Sequence, residues 1–157
     1  MSQTPPSPET LTFYIPAKGF LQAAQMVVAS PLQNESRRAM TFLPINTLLG
    51  FSVELYCKAW LAANGRAPDE LRKQFGHKLR NLYVACVNSG LELGSLETLA
   101  SQLEAGHGDF SYRYFEPSRV EYEGANTAFA FHVLNELDAL VDARVGASAS
   151  MGLVPGH

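Results

Sequence analysis

The chemistry open to this chain rests on four histidines, two cysteines and a few charged residues set among apolar ones. His77, entered through Gly76, carries a group that titrates near neutrality, which suits proton transfer on a ribose 2′-hydroxyl or phosphate binding. At a helix start the same imidazole can instead bond nearby backbone or a carboxylate such as Glu54, fixing the angle between two helices. Thr47, Glu54 and Lys58 are seven and four residues apart, so at about 100° per residue they share one narrow stripe. That stripe is either an exposed edge with one Glu-to-Lys pair, worth about 0.2–0.5 kcal/mol, or a polar seam kept inside a bundle. Gly50 falls near it and lets a neighbour approach closely. Arg113 offers a fork of donors to a phosphate, or equally a partner for Glu54. Tyr112, Tyr114 and Tyr122 can stack bases or pack their own segment onto the body. His107 and His132 receive no role; His132 stands four residues before Glu136, an ordinary surface pair. Cys57 and Cys86 lie in apolar helical runs and read as small buried thiols. There is no CxxC pair and no cluster of ligand residues, so neither a metal nor a cofactor is expected.

Positioning these side chains requires helices. Residues 1–16 read as a flexible lead, with three prolines before Glu9. Phe20, Ala24, Val27 and Val28 share a face and predict a first helix over about 17–30, followed by a polar connection through Asn34–Arg38. The central helix is expected over about 44–64, with Pro44 in its first turn and Asn64-Gly65 as its stop. It is apolar nearly all round, so neighbours must cover most of its sides. Further helices are expected over about 77–89, 95–105 (stopped by Gly106-His107-Gly108-Asp109) and 125–144. In the last of these, Asn135, Asp138 and Asp142 read as outward-facing. Residues 110–123 alternate aromatic and polar side chains and suggest a short hairpin or an extended loop. Residues 145–157 read as a mobile tail. The expected fold is therefore all-α, an up-and-down bundle of about five helices in a single domain over 17–144.

Composition narrows the class. The 157 residues are 46% apolar and 17% charged, which is globular, with room for a proper core. A net charge of −3 with scattered basic residues gives no duplex-binding footprint over the whole chain, leaving only local patches. The first ten residues lack a basic region and an apolar core, and no apolar run is of membrane-spanning length. A reducing cytoplasm is the expected setting.

The stretch Glu54-Leu55-Tyr56-Cys57-Lys58-Ala59-Trp60-Leu61, followed by Gly76-His77-Lys78-Leu79 and Leu82, resembles the HEPN domain family, as does the later pair Arg113-Tyr114. The layout extends over roughly 17–144, whereas the specific positions lie in 54–82 and 113–114. The resemblance implies a helical bundle that commonly forms homodimers. It also implies a role in toxin–antitoxin or other defence systems, often beside a nucleotidyltransferase-like partner protein. Some members are metal-independent ribonucleases with an R-x(4–6)-H motif; others lack the motif and bind partner proteins, nucleotides or RNA. Arg72-Lys73-Gln74-Phe75-Gly76-His77 satisfies the spacing, which makes Arg72 and His77 the catalytic candidates. The family usually has Asn, Asp or His after the arginine, however, where this chain has Lys73. Its motif normally lies in a later helix, whereas here it straddles the connection before the helix over 77–89. Gly76 also interrupts it, and residues five apart on a helix diverge by about 140°. A non-catalytic binding module that uses Glu54, Lys58, His77, Arg113, Tyr114 and Thr47 is the leading reading.

Overall fold

A computed structural model describes residues 6–152 together with Val154 and Gly156, but not the side chains of Ala149 and Ser150. The first five residues of the expected lead lie outside the described residues. Every regular element among those described is helical: α1 (Pro8–Ala29), α2 (Glu35–Ala63), α3 (Pro68–Phe75), α4 (Leu79–Asn88), α5 (Ser95–Gly108), α6 (Thr127–Val145) and the short α7 (Ala147–Met151). Helix α2 is the axis of the bundle, packed by α1, α4, α5 and α6 and touched by α3. Its residues Leu49, Val53, Tyr56, Cys57, Ala59 and Leu61 are fully buried, as an all-round apolar pattern requires.

Two helices begin earlier than the sequence reading placed them, and both carry an interior proline. Helix α1 starts at Pro8, where Ser7 accepts a hydrogen bond from the Thr10 amide, so residues 8–16 belong to the helix and not to a flexible lead. Thr10, Tyr14, Ala17, Lys18, Leu21 and Ala24 form one buried stripe along α1, and Pro16 sits within it. An interior proline costs about 3 kcal/mol, which burial of that stripe against α2 offsets. Helix α2 starts at Glu35, capped by the Asn34 side chain, which accepts from the Arg37 amide; Pro44 is again interior. The supposed polar connection is thus a capped helix start with an acid in its first turn, a combination that favours helix on its own.

The other departures lie at helix ends. Helix α5 runs on through Gly106 and His107, and the chain does not stop there. Residues 109–126 form a loop with no strand pairing, the extended-loop alternative to a hairpin. Tyr112 anchors that loop: it is buried, its hydroxyl donates to the Glu123 carbonyl at 2.5 Å, and its ring fills the space above Gly106. Burial, with the nearby charges of Glu123 and Asp109, pushes the Tyr112 hydroxyl up to about 12. After α6, residues expected in a mobile tail form α7, with Ala147 and Ser148 fully buried.

Candidate functional site

The Glu54 carboxylate sits in the C-terminal half of α2, only 3% exposed, and three side chains from three parts of the chain converge on it. Lys58, one turn along α2, donates to Oε1 at 2.7 Å and also to the Gly76 carbonyl at 3.0 Å. His77, between α3 and α4, places Nδ1 2.9 Å from Oε2. His107, on the last turn of α5, places Nε2 2.6 Å from the same oxygen. Burial alone would push the Glu54 carboxyl up. Hydrogen bonds from His107, Lys58 and His77, together with the Lys58 charge, outweigh it and hold the group down at about 2 from its ordinary 4.5. An ionised carboxylate only accepts, so both histidine nitrogens facing it carry protons. Neutral His77 is therefore the Nδ1–H tautomer, with its lone pair on Nε2.

Two glycines make this convergence feasible. Gly76 has φ +53°, a left-handed conformation that side chains rarely adopt; it turns the chain so that its carbonyl meets Lys58 and the next residue points back at α2. Gly50 is the close-approach point that the sequence suggested, and the neighbour is His107: a Cβ there would lie 2.5 Å from its Nδ1. Aromatic rings close the surroundings. Phe51 meets His107 edge-on at 4.9 Å and His77 at 6.3 Å, while Phe110 meets His77 at 5.3 Å. Phe110 is the one non-glycine residue among those described with positive φ, at 62°. For a bulky side chain that conformation costs of order 1–3 kcal/mol and clusters at functional sites. Here it holds the ring between His77 and Arg113, whose guanidinium lies 4.3 Å from the Phe110 ring centre and 4.9 Å from that of Phe51.

The site opens on one side only. The His77 side chain is 40% exposed, against 2% for His107 and 4% for Glu54. His77 lines a shallow cavity of about 310 Å³ with Lys73, Gln74, Lys78, Gly108 and Phe110. The cluster thus presents a half-exposed imidazole, anchored from behind by a buried anion and flanked by two lysines.

The anticipated seam residues separate into those the fold gathers and those it does not. Glu54, Lys58 and His77 come together. Arg113 joins through the aromatic rings and makes no ion pair with Glu54 among the described residues. Thr47 donates to Leu43 O at 2.9 Å and reaches Tyr112 O at 3.3 Å, tying down the loop. Tyr114 is 75% exposed and outside the cluster. Arg72 lies on the outer face of α3, paired at 3.0 Å with Asp69, both strongly exposed. His107, assigned no role from sequence, is the deepest member of the site.

A second buried network was also missed, because Asp138 and Asp142 do not face outward: they are 0% and 5% exposed. Asp138 accepts from Tyr14 (2.9 Å) and Tyr56 (2.7 Å) through Oδ1, and from Lys18 (2.9 Å) through Oδ2. Asp142 accepts from the Ser148 amide at 2.6 Å. Burial, with the Asp138 charge adding to it, drives the Tyr14 and Tyr56 hydroxyls upward, against a hydrogen bond from Ser148 at Tyr14. This network joins α1, α2, α6 and α7, and Asp138 is sealed from solvent. It is a lock and offers no access. Comparison with protein-family models, with curated proteins and with solved structures finds no match.

Proposed function

We propose that this chain is a HEPN-like helical module that binds a phosphate-bearing partner, RNA or a nucleotide, at the His77 edge without cleaving it. The observation that carries the reading is His77 itself. Its Nδ1 is held by buried Glu54, leaving Nε2 for the cavity lined by Lys73 and Lys78. Arg113 packs on the Phe110 ring that His77 also meets, exposed and free of any carboxylate partner among the described residues. Exposed Tyr114 and Phe115, with Tyr122 stacked on Phe115, offer faces for bases. The −3 net charge confines recognition to this local patch. By the family resemblance, such a module works as a homodimer in a defence or toxin–antitoxin setting, with a nucleotidyltransferase-like protein as its partner.

The test is fluorescence anisotropy with labelled single-stranded RNA and with a nucleotide, run beside a cleavage gel without added metal. Saturable binding that falls about tenfold in His77→Ala and in Arg113→Ala, with the RNA left intact, is the expected result. Absence of binding to both probes refutes the reading. Metal-free cleavage that disappears in His77→Ala replaces it with the ribonuclease alternative that uses Arg72 and His77.

A further inference from the structure

We infer that Glu54, His77 and His107 form a binding site for a divalent transition ion of the zinc type, one ion per chain. Glu54 Oε2, His77 Nδ1 and His107 Nε2 all lie within 4.8 Å of one another, and two of the three residues are buried. Two imidazoles and one carboxylate are the donor set of an open zinc site, in which a fourth position is left for water or a ligand. Of the three residues only His77 is appreciably exposed, so water or a ligand for the fourth position enters from that side.

The fit needs little movement. Ligand bonds of about 2.0–2.1 Å to a tetrahedral ion set neighbouring donors about 3.3 Å apart. The two oxygen-to-nitrogen distances are now 2.9 and 2.6 Å, so each opens by less than about 1 Å. Glu54 needs only Oε2 for the ion, since Lys58 already occupies Oε1. That ammonium orients the carboxylate and offsets its charge, so the ion is held through nitrogen ligation more than through attraction to an anion. Such a site selects zinc, cobalt or nickel and passes over magnesium and calcium, which take oxygen donors. Metal entry moves each neutral histidine's proton to its other nitrogen: from Nδ1 to Nε2 on His77 and from Nε2 to Nδ1 on His107. No proton leaves a neutral imidazole, whereas one leaves each imidazolium, so affinity falls as the histidines become charged.

The experiment is calorimetric titration of the full chain with Zn²⁺ alone, and with Mg²⁺ and Ca²⁺, supported by the visible absorption of added Co²⁺. No nucleotide or RNA is present, so failure of the phosphate reading leaves the result unaffected. Expected are one saturable Zn²⁺ per chain, a tetrahedral Co²⁺ spectrum and no Mg²⁺ or Ca²⁺ heat. His77→Ala, chosen because that side chain is half-exposed, weakens Zn²⁺ binding at least about tenfold and abolishes the Co²⁺ spectrum while helix content by circular dichroism is kept. His107→Gln, checked for helix content in the same way, does the same. No Zn²⁺ uptake by wild type, or equal affinity in wild type and His77→Ala, overturns the assignment.

Discussion

Replacing Glu54 by glutamine keeps the side chain's shape and removes the charge on which three donors converge. Two lines of reasoning give its magnitude. Removing one partner of a buried ion pair costs about 3–5 kcal/mol, because the other charge stays buried, and Lys58 is only 6% exposed. Independently, holding the Glu54 carboxyl at about 2 instead of 4.5 is worth about 3 kcal/mol, at 1.36 kcal/mol per pH unit. For a domain of this length 1 kcal/mol moves the midpoint by roughly 2–4 °C, so Glu54→Gln melts about 10 °C below wild type. The pH dependence has a definite sign. The folded carboxyl releases its proton more readily than the unfolded one, so the stabilisation is fully present above the unfolded value near 4.5. It is lost as pH falls from there through about 2. Thermal melts followed by circular dichroism between pH 7 and pH 2 should show a steep acid limb in wild type and a shallower one in Glu54→Gln. A variant that melts within 1–2 °C of wild type, with the same acid limb, refutes the convergence on Glu54.

Three other substitutions probe separate parts of the account. Gly50→Ala gains about 1 kcal/mol of helix propensity but sets a methyl 2.5–3.2 Å from three atoms of His107, an overlap costing about 1–3 kcal/mol. Urea unfolding should therefore show a net loss, and a more stable variant contradicts the packing. Asp138→Asn strips the charge from a site shared by Lys18, Tyr14 and Tyr56 and should cost about 3–5 kcal/mol in the same assay. A loss below about 1 kcal/mol would show that the network contributes little. Arg72→Ala breaks only an exposed pair and should change stability by less than about 0.5 kcal/mol while leaving RNA affinity unchanged. A tenfold loss of affinity would return Arg72 to the site.

The part of the site carried by α2 was legible in the sequence because helical spacing alone places Glu54 and Lys58 on one stripe, and a glycine nearby announced a close neighbour. His77 was legible from its position after Gly76. The identity of Gly50's neighbour was not, because Gly106 and Gly108 beside His107 look like the end of a helix. The helix runs on to Gly108, and Gly106 serves there as the point where the Tyr112 ring occupies the space of a side chain. Asp138 and Asp142 form an acidic i,i+4 pair that local pattern assigns to solvent. The Asp138 partners Lys18 and Tyr14 lie more than a hundred residues earlier, and Asp142 accepts from Ser148 in α7, so only tertiary packing accounts for their burial. Pro16 and Pro44 misled in the same way: local chemistry marks each as a boundary, while burial of α1 against α2 carries the helix through it.

The central claim is that ionised Glu54 accepts from both histidines and so leaves Nε2 of His77 free at the cavity. Long-range ¹H–¹⁵N correlation spectra of histidine-labelled protein, recorded without metal at a pH where the imidazoles are neutral, test it directly. The prediction is that His77 is protonated on Nδ1 and His107 on Nε2, and that Glu54→Gln disturbs both signals. A His77 protonated on Nε2, or histidine signals indifferent to Glu54→Gln, would contradict it.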